Sequence, residues 1–243
     1  MIKRNIPNFF TLMNLLMGCF ALVMVFRHDF SLTAIFVLAA ALFDFVDGFV
    51  ARALHVTSPL GKELDSLCDM VSFGLVPGFV MYHMISFSVG SRMLQPDPNH
   101  PAFYLAWSAF FIPLMSAWRL AKFNLDHRQS FGFIGLPTPA NALVIVFLPL
   151  ALKSDSFPAL ADFISEPVVL SMISLALSVL LVSNVSLMAM KFKSFVWREN
   201  KFKYLFLIVL LASVLLLKFW SAPFLLLIYI TLSRFEKNEY PTT

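Results

Sequence analysis

Charged residues are scarce in this sequence: they make up 13% of its 243 residues, whereas hydrophobic residues make up 59%. The mean hydropathy of +0.81 is far above that of a soluble globular domain, so the composition excludes that class of protein. Phenylalanine is abundant instead, with 28 residues, which suits helix surfaces that face lipid. We therefore predict an all-α integral membrane protein.

Cysteine is nearly absent as well. Cys19 and Cys68 both lie inside apolar segments, so neither indicates a disulfide, and the sequence has no spacing typical of zinc or iron–sulfur ligands. Internal repeats, low-complexity tracts and a soluble segment are also missing. Residues 1–243 are therefore predicted to form one membrane domain, and we expect no nucleic-acid partner.

Apolar segments separated by turn signals predict a polytopic helical bundle. Eight such segments occur, near residues 9–26, 31–53, 63–85, 103–121, 139–152, 167–190, 204–219 and 221–235. A helix needs about 20 apolar residues to cross the hydrocarbon core, and the fifth and eighth segments are short. We predict about eight transmembrane helices, with six or seven left open. Residues 1–8 are predicted to form a short interfacial helix before the first span.

The distribution of Lys and Arg predicts the orientation. If the N-terminus and residues 52–62, 119–138, 190–203 and 234–243 face one side, that side holds 14 of the 18 Lys and Arg residues. An excess of positive charge marks the cytoplasmic side. No cleavage site for a signal peptide precedes Arg27, so the first helix is predicted to be retained. We predict an integral protein of the cytoplasmic (inner) membrane, with both termini and the acidic motif described next facing the cytoplasm.

Four aspartates interrupt the second and third apolar segments, in the pattern D-x2-D-G-x2-A-R-x8-G-x3-D-x3-D. Its fixed positions are Asp44, Asp47, Gly48, Ala51, Arg52, Gly61, Asp65 and Asp69. On helices the first two aspartates share one face, and so do the last two. Carboxylates that converge in a membrane repel one another unless cations lie between them, and oxygen ligands select Mg²⁺, Mn²⁺ or Ca²⁺. Asp44, Asp47 and Asp65 are the predicted metal ligands.

This pattern matches in full the signature of the CDP-alcohol phosphatidyltransferase family, membrane enzymes that make phospholipids, and the sequence resembles that family. The resemblance implies two divalent cations, Mg²⁺ or Mn²⁺ with Ca²⁺ possible in a structure, and adds Asp69 both as a metal ligand and as the general base. The alternative is that membrane aspartates form structural pairs or an ion pathway, as in a divalent-cation transporter.

The resemblance also implies contacts with CDP-diacylglycerol. Gly48, Ala51 and Gly61 have no bulky side chain, so the cytidine nucleotide can approach the helices there; tight helix packing is the alternative. Arg52 is the expected phosphate partner, although it can also extend to lipid headgroups. Near the N-terminus a Pro-Asn-x-x-Thr element, typical of many family members, makes Asn8 and Thr11 candidate substrate contacts, with helix capping by Asn8 equally open.

Three further stretches resemble the phosphatidylserine synthase branch of the family, at residues 72–77, 119–124 and 133–140. That resemblance implies L-serine as the acceptor, CMP as a product, membrane lipids as partners and a homodimer. Arg119 can bind a carboxylate through two nitrogens, with Lys122 and Asn124 beside it; a purely topogenic role for such basic residues is the alternative. Sibling acceptors, glycerol 3-phosphate, inositol phosphate or choline, also stay open. A basic cluster at residues 191–203 is predicted to bind anionic headgroups.

Overall fold

The computed structural model describes residues 2–56, 58–88, 101–125, 133–187 and 215–239, together with residues 205, 208, 209, 212 and 213. Helices dominate this part of the chain. They are α1 (Ile2–Phe26), α2 (Phe30–Ala53), α3 (Pro59–Asp69), a π-helical segment (Met70–Leu75), α4 (Val76–Ser88), α5 (Pro101–Ala106), a 3₁₀ turn (Trp107–Phe110), α6 (Phe111–Leu125), α7 (Thr138–Leu152), α8 (Pro158–Ser165), α9 (Pro167–Val182), a second 3₁₀ turn (Lys218–Trp220) and α10 (Ser221–Glu239). The predicted all-α membrane class is confirmed. Two strands of two residues each, β1 (Phe133–Ile134) and β2 (Ser186–Leu187), pair antiparallel.

Four helical runs within the described residues are long and apolar enough to cross a membrane. They are Asn5–Phe26, Phe30–Ala53, Pro59–Ser88 and Leu215–Ser233. Helices α8 and α9 meet at an angle of 80° and would add a fifth span if they cross together, while α7 is a shorter apolar helix. The number of eight spans stays a prediction, since the described residues contain four or five candidate spans and six of the sixteen residues at 204–219 lie outside them.

The N-terminal residues differ from the expected separate interfacial helix. They form the first turns of α1, which runs without a break from Ile2 to Phe26 with Pro7 inside it. Pro7 lies near the start of the helix, where few backbone hydrogen bonds depend on it, so the helix continues through it. The buried face of α1 recurs every three or four residues and consists of Pro7, Thr11, Asn14, Gly18, Ala21 and Val25.

Side chains at the helix starts fix how α2 and α3 begin. Asp29 accepts a hydrogen bond from the Leu32 amide at 2.9 Å and so caps α2. Ser58 caps α3 by accepting from the Gly61 amide at 2.9 Å, and Pro59 occupies the first helical position, where it lacks only an amide that would have no helical partner. Because both helices start at defined residues, the aspartates in α2 and α3 have a fixed register.

A π-helical segment follows α3 directly after Asp69. It packs against α1, α6 and α7, and its residues Ser72, Phe73 and Gly74 are buried. The widened turn lets one continuous run, Pro59–Ser88, carry aspartates at its start and reach three other helices farther along. Segments of this kind often mark functional sites.

Gly18 permits the close approach between α1 and the π-helical segment. A Cβ atom added there would overlap the Ser72 hydroxyl and lie 3.0 Å from the Ser72 Cα. We expect Gly18→Ala to lower the free energy of unfolding by about 1–3 kcal/mol, because overpacking strains both helices. Thermal unfolding of the purified protein in detergent measures the change.

Gly48→Ala is the matched control for that variant. It makes the same change inside α2, where the nearest atom to the new Cβ is the flexible Arg52 Nη1 at 3.5 Å. An exchange of glycine for alanine in a helix otherwise favours folding. If both variants shift the unfolding temperature equally, the contact between Gly18 and Ser72 does not limit packing.

Candidate metal centre and nucleotide cleft

Three aspartates from two helices converge at one end of the bundle. Asp44 and Asp47 come from α2 and Asp65 comes from α3, and one carboxylate oxygen of each lies within 4.8 Å of the others. Asp47 is only 7% exposed. The helical spacing of the motif predicts that these carboxylates lie close together, and in the structure they do.

The donor atoms fit a hard divalent cation. Oxygens that share one Mg²⁺ lie at most about 4.2 Å apart, and those that share one Ca²⁺ lie at most about 5.2 Å apart, twice the usual metal–oxygen distance. The observed limit of 4.8 Å lies between the two values, so the oxygens can share Ca²⁺ as they stand, whereas a shared Mg²⁺ would draw the most distant pair closer together. Moreover, Asp65 Oδ1 is buried and has no hydrogen-bond partner among the described residues, so it is available as a ligand. The cluster can hold a metal ion.

Helix α1 orients two of the aspartates. The Thr11 hydroxyl donates to Asp47 Oδ2 at 2.7 Å, and the Asn14 amide donates to Asp69 Oδ1 at 3.0 Å. The Ser72 hydroxyl in turn donates to the Asn14 backbone carbonyl at 3.1 Å. Hydrogen bonds of this kind fix the direction in which a carboxylate presents its free oxygens.

Asn14 and Ser72 were not among the residues predicted for the site. A signal for Asn14 was present in the sequence, because Thr11, Asn14 and Gly18 interrupt an apolar helix at spacings of three and four residues and so share one face. Ser72 gave no such signal. Its role depends on how closely the π-helical segment approaches α1.

Asp69 stands apart from the three converging carboxylates. It lies one turn after Asp65 on α3, is 8% exposed, and is not part of the group whose oxygens lie within 4.8 Å. The Asn14 amide donates a hydrogen bond to the Asp69 Oδ1 atom. Its assignment as a metal ligand and as the base stays a prediction.

A cleft of about 510 Å³ opens beside the cluster, within the usual size range of small-molecule sites. Seven of the predicted site residues line it: Asn8, Thr11, Asp47, Gly48, Ala51, Gly61 and Asp65. Lys62 also lines the cleft. It is one of the basic residues by which the cytoplasmic side is predicted. The cleft is thus bounded by α1, α2 and α3.

The two motif glycines in the cleft have different surroundings. A Cβ on Gly48 would meet only the Arg52 guanidinium, so no other described helix packs tightly there. A Cβ on Gly61 would lie 3.0 Å from Ser58 Oγ and 3.1 Å from Asn8 Oδ1. Gly61 therefore lets the Asn8 side chain lie against the start of α3, and Gly48 leaves the wall of the cleft open.

Of the three residues predicted for acceptor binding, only Arg119 is buried, at 9% exposure. Its Nη1 donates to Thr138 Oγ1 at 3.4 Å, and the charge of Asp69 is close enough to attract it. Lys122 is exposed. The Asn124 amide donates to Ser66 Oγ at 2.9 Å, so this side chain ties the end of α6 to α3. The basic cluster at 191–203 lies outside the described residues.

A family model matches the part of the chain that carries the acidic motif. Residues 4–183 match the model of the family described as CDP-alcohol phosphatidyltransferase. The chain belongs to this family. The match includes every predicted site residue, and it extends from the start of α1 to the end of α9.

Three proteins similar to this chain share the name CDP-diacylglycerol–serine O-phosphatidyltransferase. The protein from Helicobacter pylori (strain ATCC 700392 / 26695) is 33% identical over 181 residues, which cover 74% of this chain and 70% of the relative. The protein from Bacillus subtilis (strain 168) is 29% identical, with 74% of this chain and 88% of the relative covered. The protein from Methanocaldococcus jannaschii is 34% identical, with 58% and 59% covered.

Removing one carboxylate charge tests the metal centre without a catalytic readout. We expect Asp47→Asn to weaken Mn²⁺ binding at least about tenfold, because a charged oxygen ligand is lost while the shape of the side chain is kept. Calorimetric titration of the purified protein with Mn²⁺ measures the affinity.

Asp29→Asn is the matched control, because Asp29 caps the opposite end of the same helix and asparagine caps equally well. Its Mn²⁺ affinity should equal that of the wild type. An equal loss of affinity in both variants would mean that Mn²⁺ responds to the total charge of the protein and not to the aspartate cluster.

Proposed function

We propose that this protein transfers the phosphatidyl group of CDP-diacylglycerol to the hydroxyl of L-serine, giving phosphatidylserine and CMP. The observation that carries the proposal is the convergence of Asp44, Asp47 and Asp65 beside the cleft, with Asp69 one turn after Asp65 on the same helix. Membership of the family and the names of the relatives support the same reaction.

The cleft is the proposed site of the nucleotide half of the donor. Gly48 and Ala51 on α2 and Gly61 on α3 let the cytidine approach the backbone, and Asn8 and Thr11 contact it from α1. Phosphate oxygens need cationic partners, which Arg52 beside Gly48 and Lys62 in the wall of the cleft supply.

Asp44, Asp47, Asp65 and Asp69 would hold two divalent cations, Mg²⁺ or Mn²⁺. When bound, such cations neutralise the pyrophosphate and stabilise the departing phosphate. Thr11 assists as a positioning residue, because its hydrogen bond to Asp47 Oδ2 leaves Oδ1 to face the cleft.

Asp69 is the proposed general base. The serine oxygen attacks the phosphorus that carries diacylglycerol, the bond from that phosphorus to the oxygen of CMP breaks, and the hydroxyl proton passes to Asp69. Since Asn14 donates to Oδ1 of Asp69, Oδ2 is the atom that can accept this proton. Asn14 thereby selects which oxygen faces the acceptor.

Arg119 favours serine over phosphorylated acceptors. It is the one Lys or Arg among the residues with described burial that is buried. A single guanidinium suits a carboxylate, whereas glycerol 3-phosphate or inositol phosphate would call for more cations. Choline has no carboxylate for it to bind.

The setting of the reaction is part of the proposal. Asn8 lies against Gly61, and the Lys62 ammonium donates to the Asn124 carbonyl at 2.6 Å, so three of the segments assigned to the cytoplasmic side by their charges lie together. We propose that the protein is a homodimer in the cytoplasmic (inner) membrane, with the cleft open to the cytoplasm, where serine and CMP exchange.

A panel of acceptors tests the reaction directly. We expect CMP release from CDP-diacylglycerol with L-serine and Mg²⁺ or Mn²⁺, and far slower release with glycerol 3-phosphate, inositol phosphate or choline. Chromatography of nucleotide and lipid products measures both halves of the reaction. A preference for glycerol 3-phosphate would overturn serine as the acceptor. Transport of metal ions into liposomes without turnover of CDP-diacylglycerol would contradict transferase function itself.

The variant Asp69→Asn tests whether Asp69 acts as the general base or chiefly as a metal ligand. If Asp69 chiefly removes the serine proton, kcat should fall at least about 10²-fold, the usual effect of losing a positioned base. Binding of CDP-diacylglycerol should survive better than in Asp44→Asn, because the converging cluster stays intact. Equal losses of donor binding in the two variants would mean that Asp69 serves chiefly as a metal ligand, which would contradict its role as the base.

A further inference from the structure

An asparagine whose side chain has no hydrogen-bond partner among the described residues is buried in the first turn of α7. Asn141 is 0% exposed, and neither its Nδ2 nor its Oδ1 has a partner among the described residues. Burying an amide without partners is costly, and asparagine also favours a helix interior less than leucine does. A structural role alone would be better served by an apolar side chain, so a ligand is the expected partner.

The place of Asn141 on α7 connects it to the acceptor side of the site. Thr138, which accepts the hydrogen bond from Arg119, lies three residues before Asn141 and therefore on the same face of the helix. Helix α7 also packs against the π-helical segment that follows Asp69. Asn141 is thus one helical turn deeper than the pair formed by Arg119 and Thr138.

Helix α6 offers a matching set of unpaired atoms. Arg119 Nε and Ser116 Oγ are both buried without a partner in the described part of the chain, and the two residues lie three apart on one face of α6. A Cβ on Gly74 of the π-helical segment would lie 3.1 Å from the Ser116 Cβ. Ser116 thus borders the π-helical segment that follows Asp69, and helix α7, which carries Asn141, packs against the same segment.

We infer that Asn141 and Arg119 together bind the two charged groups of the amino-acid acceptor. Arg119 has only donors, so it pairs with a carboxylate, whereas the Asn141 Oδ1 is an acceptor that can receive an ammonium N–H. A neutral acceptor binds the ammonium without adding another negative charge near four aspartates. Ser116 and the Asn141 Nδ2 complete the hydrogen bonding. This inference rests on the proposed function, since it assumes an α-amino acid as the acceptor.

Two variants should show which residue binds the ammonium of serine and which binds its carboxylate. We expect Asn141→Leu, which keeps the volume of the side chain, to raise KM for L-serine at least about tenfold and to leave KM for CDP-diacylglycerol within about twofold. Competitive inhibition by ethanolamine, which has the ammonium but no carboxylate, should weaken in parallel. Inhibition by 3-hydroxypropionate, which has only the carboxylate, should stay unchanged.

Arg119→Lys should give the opposite pattern. It keeps the charge but loses the planar pair of donors, so inhibition by 3-hydroxypropionate should weaken and inhibition by ethanolamine should not. A buried hydroxyl that is paired within its own helix serves as the control: Ser178 on α9 donates to the Ser174 carbonyl at 2.7 Å, and Ser178→Ala should leave every constant unchanged.

Stability gives an independent readout. Because Asn141→Leu removes unpaired buried polar atoms, its unfolding temperature should equal or exceed that of the wild type even as serine binding is lost. If that variant fails to fold, Asn141→Ala with the same inhibitors replaces it.

An unchanged KM for serine in a wild type that uses serine would overturn the inference and leave the proposed function standing. A wild type that prefers another alcohol would overturn the proposed function whatever the variants do.

Discussion

The mutual repulsion of buried carboxylates is the constraint on which the site depends. Two unit charges 4.8 Å apart repel by about 3.5 kcal/mol at an effective dielectric constant of about 20, and three pairs are formed by Asp44, Asp47 and Asp65. A cluster of this kind is compatible with a folded bundle only if cations or protons balance it. The described residues supply no lysine or arginine inside the cluster, which makes a bound divalent cation the natural counter-charge.

The helices around the cluster can be understood as a support for it. Caps at Asp29 and Ser58 set the register of α2 and α3, and α1 presents Thr11 and Asn14 to two of the four aspartates. Gly18 lets α1 approach the π-helical segment closely enough for Ser72 to hold the Asn14 backbone. The polar face of α1 is therefore not an anchor at the membrane surface but part of the wall of the site.

The convergence of Asp44, Asp47 and Asp65 could be predicted from the sequence because the motif is local. Helical spacing alone places Asp44 beside Asp47, and short separation along the chain brings Asp65 near them. The same periodicity would have marked Asn14. By contrast, Asn141 and Thr138 lie in an apolar helix far along the chain, and only the tertiary contact with Arg119 connects them to the site. Local periodicity also did not show that residues 2–8 continue into α1 as one helix, which the structure shows.

The order of Asp65 and Asp69 along one face of α3 fits an in-line displacement. Asp65 lines the cleft, which α1 and α2 complete, whereas Asp69 does not line it and is attracted by Arg119 from the side of α6. One turn of a single helix thus separates the proposed position of the leaving nucleotide from that of the attacking hydroxyl. In a phosphoryl transfer the attacking and leaving oxygens stand on opposite sides of the phosphorus. Because α3 presents a cluster residue and, one turn farther along the same face, the proposed base, the leaving nucleotide and the attacking hydroxyl would meet the phosphorus from the two ends of that face.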